Sequence, residues 1–413
     1  MYIYDKYRNG EKMASVREYL RLRGKREKPE RSINYKERIR GHKLTIFYRG
    51  VLAIVLAAAV IGMAAVSWQN REYAEGIIIS SIPVSKVEGS AYLALGNNIL
   101  TYSKDGANCM DSRGIVLWNQ TYEMQNPMVD INGSVVAIGD YNGRTIYIMD
   151  TEGSRGEITT NLPIRRFRVS ANGVVAVILD DARVTRINLY DSAGKELVKS
   201  ETTMDKSGYP IDISISPSGE LLAISYLYVD SGVMKTSIAF HNFGEVGQNL
   251  SSDRFVSGYD YQGNVVPIIR FMNSSTAFAV SDDRIMFFSG SEKPLSAKEN
   301  FLNEEVQSIF YTDKYVGLVF LNTEGEEKYR LDVYDGTGNL VNSKSFDLEY
   351  TNIIFDEDEY VIYSSTEYSI NNMHGVERFT GKFDETVYLL TPTKKRNRFL
   401  IMTQDAMKVM EMK

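Results

Sequence analysis

Between Cys109 and Gly375 the chain returns repeatedly to one short pattern: strand residues, an Asp or a stand-in for it, two residues, a Gly, then a second strand. Full copies are Cys109-Met110-Asp111-Ser112-Arg113-Gly114, Ile148-Met149-Asp150-Thr151-Glu152-Gly153, Leu189-Tyr190-Asp191-Ser192-Ala193-Gly194 and Val333-Tyr334-Asp335-Gly336-Thr337-Gly338. Degenerate copies are Phe240-His241-Asn242-Phe243-Gly244, Phe288-Ser289-Gly290 and Asn372-Met373-His374-Gly375. With 111, 150, 191, 241, 289, 335 and 372 as reference positions, the intervals are 39, 41, 50, 48, 46 and 37 residues. The chemistry is that of a tight turn, in which Asp or Asn bonds the backbone ahead of it and Gly supplies φ > 0. A period of this length demands a repeat architecture, because one unit cannot bury its apolar faces alone.

A hairpin precedes each marker. Val129-Asp130-Ile131-Asn132-Gly133 leads into Ser134–Ile138, and Phe167–Gly173 leads into Val174–Val177. Ile213–Gly219 leads into Leu221–Ile224, and Phe310–Asp313 leads into Tyr315–Val319. Their apolar stretches suit strands buried on both faces. Seven units are visible between about residues 85 and 390. Arg398–Thr403 and Met407–Met412 read as the middle strands of an eighth unit lacking its last strand, while Gly76–Ile82 reads as a strand lacking a unit. Pairing the two closes a ring and removes the exposed edges. The expected fold is therefore all-β: a β-propeller of four-stranded blades, eight in number, closed by an N-terminal strand. Seven blades with an irregular C-terminal hairpin is the alternative. A composition with 27 Tyr and only 9 Pro agrees with β-structure.

These repeats resemble the quinoprotein-dehydrogenase-like and WD-repeat-like propellers of bacteria. Cys109 to Trp118 is similar to the blade motif in which an Asp/Gly turn precedes a docking Trp, with one residue fewer between them. The whole layout resembles an uncharacterised family of bacterial single-pass membrane proteins with a propeller ectodomain. Such motifs are structural and imply fold rather than activity.

The second constraint is Gly50 to Trp68, nineteen residues without charge or proline. As a helix this run is roughly 28 Å long, close to the hydrocarbon thickness of a bilayer. Phe47, Tyr48 and Trp68 stand where interfacial aromatics belong, and Arg49 and Arg71 bound the run. A cleaved signal peptide is a poorer match, since 49 residues precede it. Residues 1–49 carry 15 Lys/Arg and 6 Asp/Glu, against 32 and 47 in the remainder. The positive side faces the cytoplasm, so the expected localisation is a bacterial cell membrane, N-terminus inside and residues 70–413 outside. The organisation expected is a basic, largely disordered tail over 1–43, a transmembrane helix within 44–69 and an extracytoplasmic propeller over 70–413. Ala14–Arg26 has the pattern of a short helix stopped by Pro29. The tail is either a plain topology signal or a contact for anionic lipid; it has no nucleic-acid-binding fold. Cys109, the one cysteine, excludes an intrachain disulfide.

No residue set carries catalysis, a cofactor or a metal, and the expectation is a protein that is not an enzyme. The three His are His42, His241 and His374, the last two in or beside the Asp/Gly turns. There is no Gly-x-Ser-x-Gly elbow and no phosphate-binding glycine loop. Asp180-Asp181, Asp282-Asp283 and Asp356-Glu357-Asp358-Glu359 read as solvated turns without the ligand alternation of a calcium loop. Ser103-Lys104-Asp105-Gly106 reads as a plain turn. The leading expectation is a non-catalytic binding or scaffold module for a protein or cell-envelope polymer, with a bilayer contact through residues 50–68. Two other readings are a propeller enzyme, quinone-dependent or glycan-cleaving, and a single-pass receptor whose helices pack through Ala53, Ala57, Gly62 and Ala65.

Overall fold

The apolar stretches of each repeat become the middle strands of a four-stranded antiparallel sheet. Val135–Asp140, Val175–Asp180 and Glu359–Tyr363 are buried almost throughout, because both faces of the sheet meet neighbouring sheets. The computed structural model describes residues 35–69, 72–84, 87–181, 184–202, 208–323 and 325–413, in two units, Met1–Gln69 and Asn70–Lys413. The second unit holds eight four-stranded sheets. It is an eight-bladed β-propeller.

The first strands of blades 1 to 8 are Ala91–Leu95, Pro127–Asn132, Ile164–Val169, Tyr209–Ile215, Ile268–Phe271, Val306–Tyr311, Asn352–Asp356 and Val387–Pro392. First strands of several neighbouring blades touch one another, which makes them the inner strands of the ring. The core is not one mass but eight slabs, each shared by two adjacent blades. Leu221 and Phe240 of blade 4 pack with Phe271 and Phe288 of blade 5. Tyr92 and Ile99 of blade 1 pack with Leu400, Met402 and Met407 of blade 8.

Seven blades use four consecutive strands; blade 8 takes Val387–Pro392, Arg398–Thr403 and Ala406–Met412, and adds Gly76–Pro83 as its outer strand. Gly76 pairs with Met412 and Pro83 with Ala406, with a bulge between Ile78 and Ser80. The preceding residues extend the seal. Ala74 N–H donates to Lys413 O at 2.6 Å, and Lys413 N–H donates to Glu75 O at 3.0 Å.

The Asp/Gly markers lie between third and fourth strands. Asp191 Oδ1 accepts from the N–H groups of Ala193 (3.0 Å) and Lys195 (2.9 Å). Gly194 has φ +81°, and a Cβ there would lie 2.3 Å from Glu157 O in the outer strand of blade 2. The glycine thus serves twice, in the turn and in docking it on the neighbouring blade. Trp118, in the outer strand of blade 1, donates through Nε1 to Asp150 O of blade 2 at 2.7 Å. At the degenerate marker of blade 4 the turn residue is Asn242 rather than His241, since Asn242 Oδ1 accepts from Gly244 N–H at 2.8 Å.

The first unit contains the helix Tyr35–Gln69, of which Ile39–Ala64 is long and apolar enough to cross a membrane. It starts within the stretch expected to be tail. The helix expected over Ala14–Arg26 lies outside the described residues, as do Arg71 and the side chains of Ala65 and Trp68.

Deleting Gly76–Pro83 removes the outer ladder of blade 8. At roughly 1 kcal/mol per lost hydrogen bond, the propeller should lose several kcal/mol. Thermal melts of the full chain test this. Removing residues 1–34 should leave the midpoint unchanged, and equal midpoints for both variants would refute the closure.

Candidate functional site in the ring channel

An inner strand has one paired edge; the other faces the space that the ring encloses, with backbone groups unclaimed by the sheet. In blades 2 to 5 side chains of one inner strand reach the free edge of the next. Asp130 Oδ2 accepts from Val169 N–H at 2.7 Å. Asp212 Oδ2 accepts from Ile269 N–H at 3.0 Å, and Ser214 Oγ from Phe271 N–H at 2.9 Å. Arg168 Nε donates to Ile213 O at 3.4 Å.

The inner strand of blade 3 reads Ile164-Arg165-Arg166-Phe167-Arg168-Val169. Ile164, Phe167 and Val169 enter the slab shared with blade 2. A register shift between Ile164 and Arg166 separates the arginines. Arg165 pairs with Asp180 and reaches Tyr141 Oη at 2.7 Å. Arg166 and Arg168 turn towards blade 4 and meet Asp212, whose side chain is 0% exposed. Arg166 Nη1 donates to Asp212 Oδ1 at 2.6 Å. Arg168 Nη2 lies 3.6 Å from the same oxygen, while its Nη1 donates to Asp130 Oδ1 at 2.8 Å. Arg270 of blade 5 donates through Nη1 to Asp212 Oδ2.

Tyr311 stands on the inner strand of blade 6, its ring edge-on to Phe278 at 5.3 Å. The residue is 45% exposed, and its hydroxyl is near enough to Arg270, Asp130, Arg168 and Asp212 to feel their charges. Burial among neighbouring atoms pushes its hydroxyl pKa up, Arg270 pulls it down, and Asp130 raises it. For Arg168 burial opposes the charge, but Asp130 and Asp212 more than offset it and the guanidinium is held above its ordinary pKa. Three guanidiniums and two carboxylates thus crowd one arc of the wall.

The residues singled out from sequence are scattered. Asp181 pairs with Arg186 at 3.3 Å. Asp283 pairs with Arg284 at 2.8 Å, which holds its carboxyl down at about 2. Ser103 Oγ accepts from Asp105 N–H at 3.1 Å in a plain turn. Cys109 is buried, and burial pushes its thiol up to about 11. His241 borders a cavity of about 80 Å³ between blades 3 and 4, with Leu189, Val198, Leu222, Phe243 and Arg254. Burial pushes its pKa down, and its Nδ1 lies 2.9 Å from Asp253 O. His374 is in the turn of blade 7, where its N–H donates to Asn372 Oδ1 at 2.9 Å. His42 is exposed on the long helix. Among the described residues no three His, Cys, Asp or Glu are grouped to hold a metal ion.

The acidic turn of blade 7 departs from expectation at one residue. Asp356, Glu357 and Asp358 border a cleft of about 230 Å³ with Lys394 and Arg396. Glu359, expected to be solvated, is buried and paired with Arg378 at 2.8 Å. Tyr73, three residues before the closing strand, joins them, donating to Asn397 Oδ1 at 2.8 Å and lying 3.2 Å from Glu359 Oε2. Burial, then the Glu359 charge, pushes the Tyr73 hydroxyl up to about 12, so it remains a donor. This clamp holds the chain where it joins the ring.

The fold and its channel define a class: eight-bladed propellers of four-stranded blades, closed by their N-terminal strand. Within it, the chain belongs to the family of unknown function DUF5711, whose model matches residues 69–412. No curated protein matches the sequence. Among solved structures the chain is similar to BamB from Moraxella catarrhalis, at 15% identity and TM-score 0.48, over 82% of this chain and 98% of that one. It is also similar to Hsv2p of Kluyveromyces lactis, at 10% identity and TM-score 0.47, over 72% and 98%.

Replacing Asp212 by Asn should destabilise the propeller by about 3–5 kcal/mol, because buried arginines lose their counter-charge. Arg166→Gln, at a half-exposed position, should cost no more than about 1 kcal/mol. Denaturant midpoints check both. Equal losses would show that Asp212 is not the hub.

Proposed function

We propose that this chain is a membrane-tethered propeller of the bacterial envelope, which binds a protein partner outside the cell without catalysing a reaction. The observation that carries the reading is the hairpin of blade 4. Its strands Leu221–Asp230 and Val233–Asn242 have 10 residues each, where the corresponding strands of other blades have 5 to 7. The surplus carries apolar side chains into solvent: Val229 is 67%, Met234 52% and Val233 46% exposed. Neither the slabs nor the ladder needs them, and a grouped exposed apolar surface is what a partner would cover.

Topology gives the hairpin its direction. The closing strand begins at Gly76, opposite Met412, the end of blade 8's third strand where fourth-strand turns lie in other blades. The chain therefore joins the ring at the face of the Asp/Gly turns. The tip at Ser231 and Gly232 lies between second and third strands, on the opposite face. A ring held at one face and carrying an apolar prong on the other suits a scaffold.

The tether reading rests on the helix Tyr35–Gln69. Ile54, Val60, Ile61 and Met63 are all exposed, and a helix apolar all round belongs in a bilayer or a protein interior. The basic flank sets the N-terminus in the cytoplasm.

The protein should stay with membranes through alkaline carbonate extraction; release into the wash would remove the tether. Proximity labelling from the C-terminus of the full chain should mark an envelope protein that Val229→Asp with Met234→Asp no longer marks. The same proteins from both chains, or none above background, would overturn the binding role of the hairpin.

A further inference from the structure

The arginines of the channel outnumber the acids that hold them. Arg166, Arg168 and Arg270 are joined to Asp212 and Asp130, leaving one positive charge in the cluster. Each guanidinium has five N–H donors. Arg166 spends Nη1 on Asp212, and its side chain is 43% exposed. Arg270 spends Nη1 on Asp212 and on Ile269 O. The remaining donors of both find no protein acceptor among the described residues. Like charges gathered around one carboxylate repel, and each carboxylate also accepts a backbone N–H, from Val169 and Ile269.

A structural role alone would need fewer cations. Asp130 bonds the free edge with one arginine beside it, Arg168, whereas Asp212 meets three. Arg166 and Arg270 approach Asp212 from opposite neighbouring blades, one on each carboxylate oxygen and each through Nη1 alone. The Nη2 and Nε donors of each are left for an oxyanion, which guanidinium groups bind with two parallel bonds. Tyr311, on the other side of Arg270 in the ring order, presents a hydroxyl to the same space.

We propose that the ring channel binds a small oxyanion, a carboxylate or phosphate group, between Arg166 and Arg270 with Tyr311 as a further donor. Asp212 orients the forks and does not touch the anion. The site does not include the apolar tip residues Val229, Val233 and Met234 of blade 4, so either can fail without the other.

The test uses the full chain in detergent, with ionic strength held constant by sodium chloride. Inorganic phosphate and acetate are titrated separately, following the thermal midpoint and the heat of binding. A saturable rise in midpoint with one of them, beyond that of chloride, supports the site and distinguishes phosphate from carboxylate. Arg166→Gln should weaken binding at least about tenfold, the loss of one charge-assisted bond. Tyr311→Phe should weaken it less. If Arg166→Gln folds poorly, Arg166→Lys keeps the charge but loses the fork and should also weaken binding. No saturable effect of either anion, or unchanged affinity in the Arg166 variants, would overturn the proposal.

Discussion

The pairing of Gly76–Pro83 with Ala406–Met412 is the contact on which the ring depends. Every other ladder joins neighbours in sequence. This one closes a loop of more than 300 residues, at an entropic cost of roughly 5 kcal/mol. No single blade can meet that cost. It is offset because closure also completes the slabs on both sides of blade 8, where Met410 and Met412 meet Tyr368 and Ile370, and Leu400 and Met407 meet Ile99. Ring closure and the two slabs of blade 8 thus form together, and the clamp at Tyr73, Glu359 and Arg378 sits beside them. The Tyr73 ring packs against the slab between blades 7 and 8, so the clamp joins apolar contact to its polar bonds. It fixes the direction in which the chain leaves the outer strand.

The same geometry produces the channel. Each of the eight sheets keeps two edge strands, and the ring turns one of them inward in every blade. Blades 2 to 5 answer with charged side chains that bond backbone and one another together, and their inner strands lie close. Charge placed for this purpose is buried on the protein side and wet on the channel side. That is why Asp212 is fully enclosed while Arg166, bonded to it, is half exposed.

Much of this was legible in the sequence. The Asp/Gly period marks seven blades, and the C-terminal strands Arg398–Thr403 and Met407–Met412 with the orphan strand Gly76–Ile82 supply the eighth and the closure, because turns and apolar runs are local signals. The channel was missed, although a trace of it is visible. An inner strand ought to be apolar, and Ile164-Arg165-Arg166-Phe167-Arg168-Val169 carries three arginines in that place. Such a conflict between local composition and global position marks a site. Its partners Asp212 and Arg270 lie in other blades, and no periodicity connects them. Glu359 was misjudged for the same reason: its environment is made by Arg378 and Tyr73, the second of these distant in sequence.

The long hairpin had a signal as well. The intervals of 50 and 48 residues flanking position 241 exceed the others, and the first contains the strands that lengthen blade 4. An insertion in a repeat protein is confined by the neighbours on each side of its unit. The slab contacts of blade 4 are in place with Leu221, Ala223, Ile238 and Phe240. Residues added beyond them can only grow outward along the strand direction, away from the turns where the chain joins the ring. The repeat therefore dictates where surplus sequence can go, and the apolar character of Val229, Val233 and Met234 is left without a structural role inside the ring.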